Sequence, residues 1–282
     1  MKENDKLSAI VGRRVVLQNP YAFLAGDGQF DGQFEVPATG AAVPVGQGRR
    51  MPAASKSWRQ SIEEVARDLQ RDIYIDARGR SDGELVDPIH LLDPAVAAHY
   101  LGVEFTVEPG LGSQYLGSQE IPIAGQIDRR MNRISLSRRL KGSTHRFTGA
   151  HEVGHWVLHP GEMFHRDRPL DAPSSKLGRR SLVEVQADYF AAFFLMPRKL
   201  LTERFLTRFG VVPFAFSVEQ AFGLDPGNYL NLINGSVDLK NRARLLADAQ
   251  QYQGNRFHSL ADEFGVSIGA MAIQLVDLGL VV

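Results

Sequence analysis

The 282-residue chain contains no cysteine. That excludes disulfides, thiolate metal knuckles and a cysteine nucleophile, fits a reducing compartment, and leaves His, Asp and Glu as the side chains able to hold a metal. A net charge is missing as well, because Lys plus Arg and Asp plus Glu each number 32. No global field therefore draws the chain to nucleic acid, a membrane surface or acidic substrates, and any such attraction must be local. The chain also lacks a run of about 18 apolar residues, the length a membrane span requires. The opening Met1–Lys6 leads only into a short apolar patch from Ile10 to Leu17. The expectation is a cytoplasmic protein with no membrane partner. What is present is an ordinary globular mixture, 44% hydrophobic and 23% charged, enough for one large or two modest domains.

Three regions follow from the pattern. Residues 1–57 mix Gly, Gln, Pro and Ala around a tandem Asp27–Phe30 and Asp31–Phe34, two copies of DGQF. Two copies are too few for a repeat architecture, and the region reads as an N-terminal extension. Residues 58–197 form the main domain. It opens on an amphipathic helix to about Asp72, with Trp58, Ile62, Val65, Ala66 and Leu69 at helical spacing. A short helix from Leu91 to Leu101 and strands at Val103–Val107, Ile121–Ile127 and Asn132–Ser137 follow, the last two joined by a tight turn at Asp128–Met131. Helices are expected from Ser143 to Leu158, ending before Pro160, and from Leu182 to Met196, ending at Pro197. Residues 198–282 read as helical, with helices at Leu200–Phe209 and Val237–Gln251 and a compact helix-turn-helix-like pattern at 257–282. The fold class is α+β, a small sheet beside a helical bundle.

The chemistry lies in His151, Glu152 and His155, an HExxH sequence within a segment that reads as helix on other grounds. At i and i+4 the two imidazoles share a helix face about 6 Å apart in rise, and both can reach one ion at roughly 2.0–2.1 Å. Glu152 is turned about 100° from His151, beside the ion rather than under it, where a base acting on water belongs. The ion expected from this pattern is zinc.

Several residues compete to be the third ligand. His159 continues the stripe but lies about 12 Å of rise from His151, too far to share the ion along a continuous helix, so a hydrogen bond or a helix-end charge effect suits it better. The longer HExxHxxGxxH pattern needs glycine at 158 and histidine at 161, where the chain has Leu158 and Gly161. Glu162 and His165 remain in the following loop. Glu184 is better placed, since Glu184, Ala187, Asp188 and Ala191 line one face of the next helix. The small residues on that face and Gly154 on the first helix both allow close approach. Asp188, one turn after Glu184, is placed to accept from a ligating imidazole and fix its tautomer.

Two stretches, Arg146–His155 (RFTGAHEVGH) and Glu184–Ala191 (EVQADYFA) running on to Leu195–Pro197, resemble those of the ImmA/IrrE family of zinc metallopeptidases. The resemblance covers about residues 58–197 and, more weakly, 257–282. It implies a gluzincin-like, zincin-type core in which His151, His155 and Glu184 bind Zn2+ and Glu152 is the catalytic base. It also implies a substrate, a helix-turn-helix repressor whose cleavage switches on stress, DNA-damage or phage-defence genes. About 55 residues separate Pro197 from the closing segment, a spacing outside the family pattern, as is the long N-terminal extension.

Two nucleic-acid readings stand beside this one. A DNA-binding regulator with a structural or vestigial metal site would read sequence through Ser267–Leu275, which offers Gln274 but neither Arg nor Lys to hold phosphates. A basic cluster of Arg129, Arg130, Arg133, Arg138, Arg139, Lys141 and Arg146, with Asp128 as its acidic neighbour, is suited to an acidic substrate segment or a nucleic-acid activator. Finally, if Asn132–Ser137 forms the exposed edge of the sheet, an extended substrate could pair with it across the metal.

Overall fold

A computed structural model describes residues 57–80, 87–116, 119–140, 142–161, 164–167, 181–234 and 237–282. The DGQF tandem, Lys141 and Glu162 lie outside the described residues, and so does the side chain of His165. Helix α1 (Trp58–Arg80) buries Ile62, Ala66, Leu69 and Ile73 and so runs beyond Asp72, because Ile73 continues the same apolar stripe. A short helix α2 (Pro88–Leu91) ends where the helix expected from Leu91 to Leu101 was to begin, and that helix is α3 (Pro94–Tyr100), which starts three residues later. Each begins with an Asp-Pro pair in which the aspartate caps the N-terminus, Asp87 accepting from the amide of Ile89 and Asp93 from that of Ala95. Proline at the first helical position costs no hydrogen bond, and two such starts so close together force a break.

Strands β1 (Glu104–Glu108), β4 (Gly125–Asp128), β5 (Arg133–Ser137) and β6 (Phe164–Asp167) form one sheet in the order β1-β5-β4-β6. β1 runs parallel to β5, while β4 is antiparallel to β5 and β6. The stretch Ile121–Ile127 is not one strand. Its first part belongs to a separate ribbon of β2 (Ser113–Leu116) and β3 (Gln119–Pro122), and β4 starts afresh at Gly125. The turn before β5 forms as expected, the Asp128 carboxylate accepting from the amides of Arg130 and Met131. The expectation of an exposed edge at Asn132–Ser137 is overturned, since β5 lies between β1 and β4 and buries Ile134, Ser135, Leu136 and Ser137.

Helix α4 (Gly142–Leu158) passes from this sheet into the helical layer, and every residue from Thr148 to Leu158 is buried. A helix enclosed on all sides needs no polar face, which is why its sequence shows little amphipathicity. Helix α5 (Leu182–Leu195) is capped by Ser181 and packs along α4. The remaining chain adds α6 (Arg198–Phe209), α7 (Val218–Leu224), α8 (Tyr229–Ile233), α9 (Leu239–Asp248), a two-residue ribbon β7–β8 (Gln251–Tyr252, Asn255–Arg256), α10 (Leu260–Phe264) and α11 (Ile268–Asp277). Gly265, in the left-handed region at φ 63°, closes α10. There a Cβ would stand 3.1 Å from Cδ of Arg146. The C-terminal turn is therefore seated on the first half of α4. The architecture is mixed α+β, and no helix among the described residues is long and apolar enough to cross a membrane.

Candidate metal centre

Gly154 sets the distance between the two helices that build the site. A Cβ on it would stand 3.0 Å from Cδ1 of Phe190 and 3.2 Å from the carbonyl oxygen of Ala187. The small residues at 154 and 187 thus mark one contact, the approach expected from the sequence. It carries the Glu184 carboxylate over the HExxH face. His151 Nε2 and His155 Nε2 lie 2.9 Å apart, Glu184 Oε2 is 3.3 Å from the first and Glu184 Oε1 is 3.5 Å from the second. All three residues offer ligand atoms within 4.8 Å of one another.

These spacings fit a small tetrahedral cation. Donors about 2.05 Å from a central ion are separated along a tetrahedral edge by about 3.3 Å, and the observed separations, taken over the two carboxylate oxygens of Glu184, lie around that value. The donor set, two imidazoles and a carboxylate, is able to hold a metal ion, and a tetrahedral ion would keep its fourth position for water or substrate. His151 and His155 are wholly buried, and the Glu184 side chain keeps 19% of its surface exposed, so the site opens on the Glu184 side.

The surroundings orient the ligands. Asp188 Oδ1 sits 2.9 Å from His151 Nδ1, one turn along α5 from Glu184, as the sequence predicted. A carboxylate only accepts, so this ring nitrogen carries the proton and Nε2 presents its lone pair. His159 stands off from the centre and makes a hydrogen-bonding contact to His155 instead, Nδ1 to Nδ1 at 3.0 Å. Gln186, unremarked in the sequence, lies 3.0 Å from His159 Nε2. Its signal was its place, two residues after Glu184 on a helix whose polar positions are few.

Glu152 is fully buried and lies against β4, where Gly125 leaves room for it: a Cβ there would come within 2.8 Å of both Cγ and Cδ of Glu152. Tyr189, next to Asp188, meets Trp58 edge-on at 5.1 Å with Arg59 over its ring. Burial raises its phenol above the ordinary value, with Arg59 opposing.

The basic cluster divides. Arg129 donates to the carbonyls of His155, Trp156 and His159 and stacks over the Trp156 ring at 4.4 Å, closing the C-terminal end of α4. Arg133 pairs with Glu104 across the parallel strands. Arg146 donates to Leu92 O and faces Asp93 at 3.7 Å, and desolvation lowers its pKa. Arg130, Arg138 and Arg139 are exposed, Arg138 touching Val107 O.

Residues 100–213 match the model of an IrrE N-terminal-like domain, peptidase M78. No curated protein matches the chain. The matched span runs from the end of α3 through the sheet, α4 and α5, and so contains the hairpin, both helices and every residue of the His151–His155–Glu184 group. Residues 100–213 are thus similar to an IrrE N-terminal-like domain of the peptidase M78 type, a match consistent with the ImmA/IrrE family.

Proposed function

We propose that the protein is a zinc-dependent endopeptidase that cuts a regulatory protein at one site. The observation that carries this reading is the triangle of His151 Nε2, His155 Nε2 and Glu184 at 2.9, 3.3 and 3.5 Å. His151, His155 and Glu184 would hold the zinc, which would supply Lewis acidity to the scissile carbonyl and make water there more acidic. Glu152, beside the triangle and wedged against Gly125, takes a proton from the attacking water and returns it to the departing amine. Asp188 keeps His151 in the ligating tautomer. The fold this implies is a zincin-type core of gluzincin class, closed by a helix-turn-helix-like tail.

The substrate follows from family resemblance, which points to a helix-turn-helix repressor in a stress or defence response. Since β5 is interior, an extended substrate segment has the outer strands β1 and β6 to pair with rather than β5. The competing reading, a DNA-binding regulator, finds little support in α11. That helix has no Lys or Arg, it buries Met271, Ala272, Gln274 and Leu275, and Gln274 donates to Met196 O. A nucleic-acid activator retains Arg130, Arg138 and Arg139 as its contacts.

The test is metal analysis of the purified chain, together with incubation against the product of a neighbouring repressor gene and mass spectrometry of the fragments. Wild type should hold about one zinc and make one cut. Glu184→Ala should lose the metal, while Glu152→Gln should keep it and lose the cut by orders of magnitude. Undiminished cleavage by Glu152→Gln defeats the mechanism, and zinc retained by Glu184→Ala defeats the ligand assignment.

A further inference from the structure

We propose that His159 and Gln186 form a positioning relay that holds His155 in its metal-binding tautomer, the counterpart of Asp188 behind His151. The proposal rests on the zinc-site reading above and adds residues it does not contain. The Gln186 side-chain oxygen Oε1 lies 3.0 Å from His159 Nε2. An amide oxygen only accepts, so that ring nitrogen donates, and a neutral imidazole with its proton on Nε2 has a bare lone pair on Nδ1. That lone pair faces His155 Nδ1 at 3.0 Å. His155 must then donate through Nδ1, which leaves its Nε2 lone pair aimed at Glu184 and His151. Two ring nitrogens, each with its proton fixed on the far side, now face each other at 2.9 Å, and the repulsion of their lone pairs is relieved by a cation between them.

Burial makes the relay directional. His155, His159 and Gln186 are all buried, so little solvent competes for these bonds. Arg129 fixes the far end through the carbonyls of His155, Trp156 and His159. The two ligand imidazoles are thus supported differently, His151 by an anion and His155 by an imidazole and amide in series. The orientation of the Gln186 amide decides the scheme. Were its NH2 toward His159, every proton in the series would reverse and His155 Nε2 would carry a hydrogen in place of a lone pair.

The experiment strips wild type, His159→Leu, His159→Gln, Gln186→Leu and Gln186→Glu of metal. Zinc affinity is then measured by competition with a chromogenic chelator, with the visible spectrum of the cobalt(II) form and the Tm of the metal-free protein recorded alongside. The two leucine variants should bind zinc about 10–100-fold more weakly and show an altered cobalt spectrum. His159→Gln, whose oxygen can accept from His155, and Gln186→Glu, which can only accept, should stay within about threefold of wild type. Leucine variants that bind as tightly as wild type overturn the relay, as does a Gln186→Glu variant as weak as Gln186→Leu. If a leucine variant does not fold, the conservative pair decides, either one falling tenfold being sufficient to reject the proposal. Wild type without zinc affinity rejects the underlying metal site instead, a different result from variants that merely equal it.

Discussion

Gly125 presses its bare Cα against the side chain of Glu152, so that an added methyl would come within 2.8 Å of both Cγ and Cδ. Gly125→Ala should therefore move the base without touching a ligand. A displacement of about 1 Å in a reacting group costs on the order of 10²-fold in rate. Kinetics of cleavage of the proposed substrate, read beside metal content, should show that loss with the metal retained. An unchanged rate would mean that Glu152 has room to spare.

Gly154 is the corresponding point between the helices. Gly154→Val places branched carbons against Phe190 and the Ala187 carbonyl, and overpacking of this kind costs roughly 1–3 kcal/mol. Thermal unfolding should report a Tm lower by about 2–4 °C for each kcal/mol at this chain size. Zinc affinity should fall with it, because α5 carries Glu184.

Arg129 and its exposed neighbours should separate cleanly. Arg129→Met removes a charged donor from three carbonyls at the end of α4, a loss of roughly 2 kcal/mol. Combined substitution of Arg130, Arg138 and Arg139 by Ala should leave Tm nearly unchanged. If nucleic acid activates the protein, that triple variant should flatten the salt dependence of DNA retention in filter binding by up to about three units of slope.

Asp277 offers a test in pH. Burial lifts its carboxyl above the ordinary value of 3.8, an effect Arg59 opposes. A raised carboxyl pKa means the fold prefers the neutral acid. This contribution is fully present below pH 3.8 and is lost as the pH rises through the folded value. Asp277→Asn should accordingly raise the stability of the metal-free protein at neutral pH, with the gain fading as the pH falls toward 4. Chemical denaturation at several pH values would reveal a destabilising substitution if Arg59 outweighs the burial.

The site was legible further than the fold around it. His151 and His155 announce themselves by spacing, and the small residues at Gly154 and Ala187 marked the approach that brings in Glu184 and Asp188. The hydrogen-bonding role of His159 also followed from helix rise, but its partner Gln186 did not, since the rise along α4 does not say which polar side chain of α5 meets it. In the sheet, local alternation located Asn132–Ser137 as a strand but not its neighbours. Its position depends on β1 pairing from about thirty residues upstream, a long-range choice no short window contains. The break between α2 and α3 was readable in Asp87-Pro88 and Asp93-Pro94, whose capping chemistry outranks the apolar spacing across them.

The bond from Gln274 to the carbonyl of Met196 ties the last helix to the end of the one that bears Glu184 and Asp188. The tail is thus part of the foundation beneath the chemistry rather than an appendage to it. A chain clipped after β8 would keep every letter of HExxH and Glu184, yet the end of α5 would lose that bond. Possession of the motif and possession of a working centre are separate properties here.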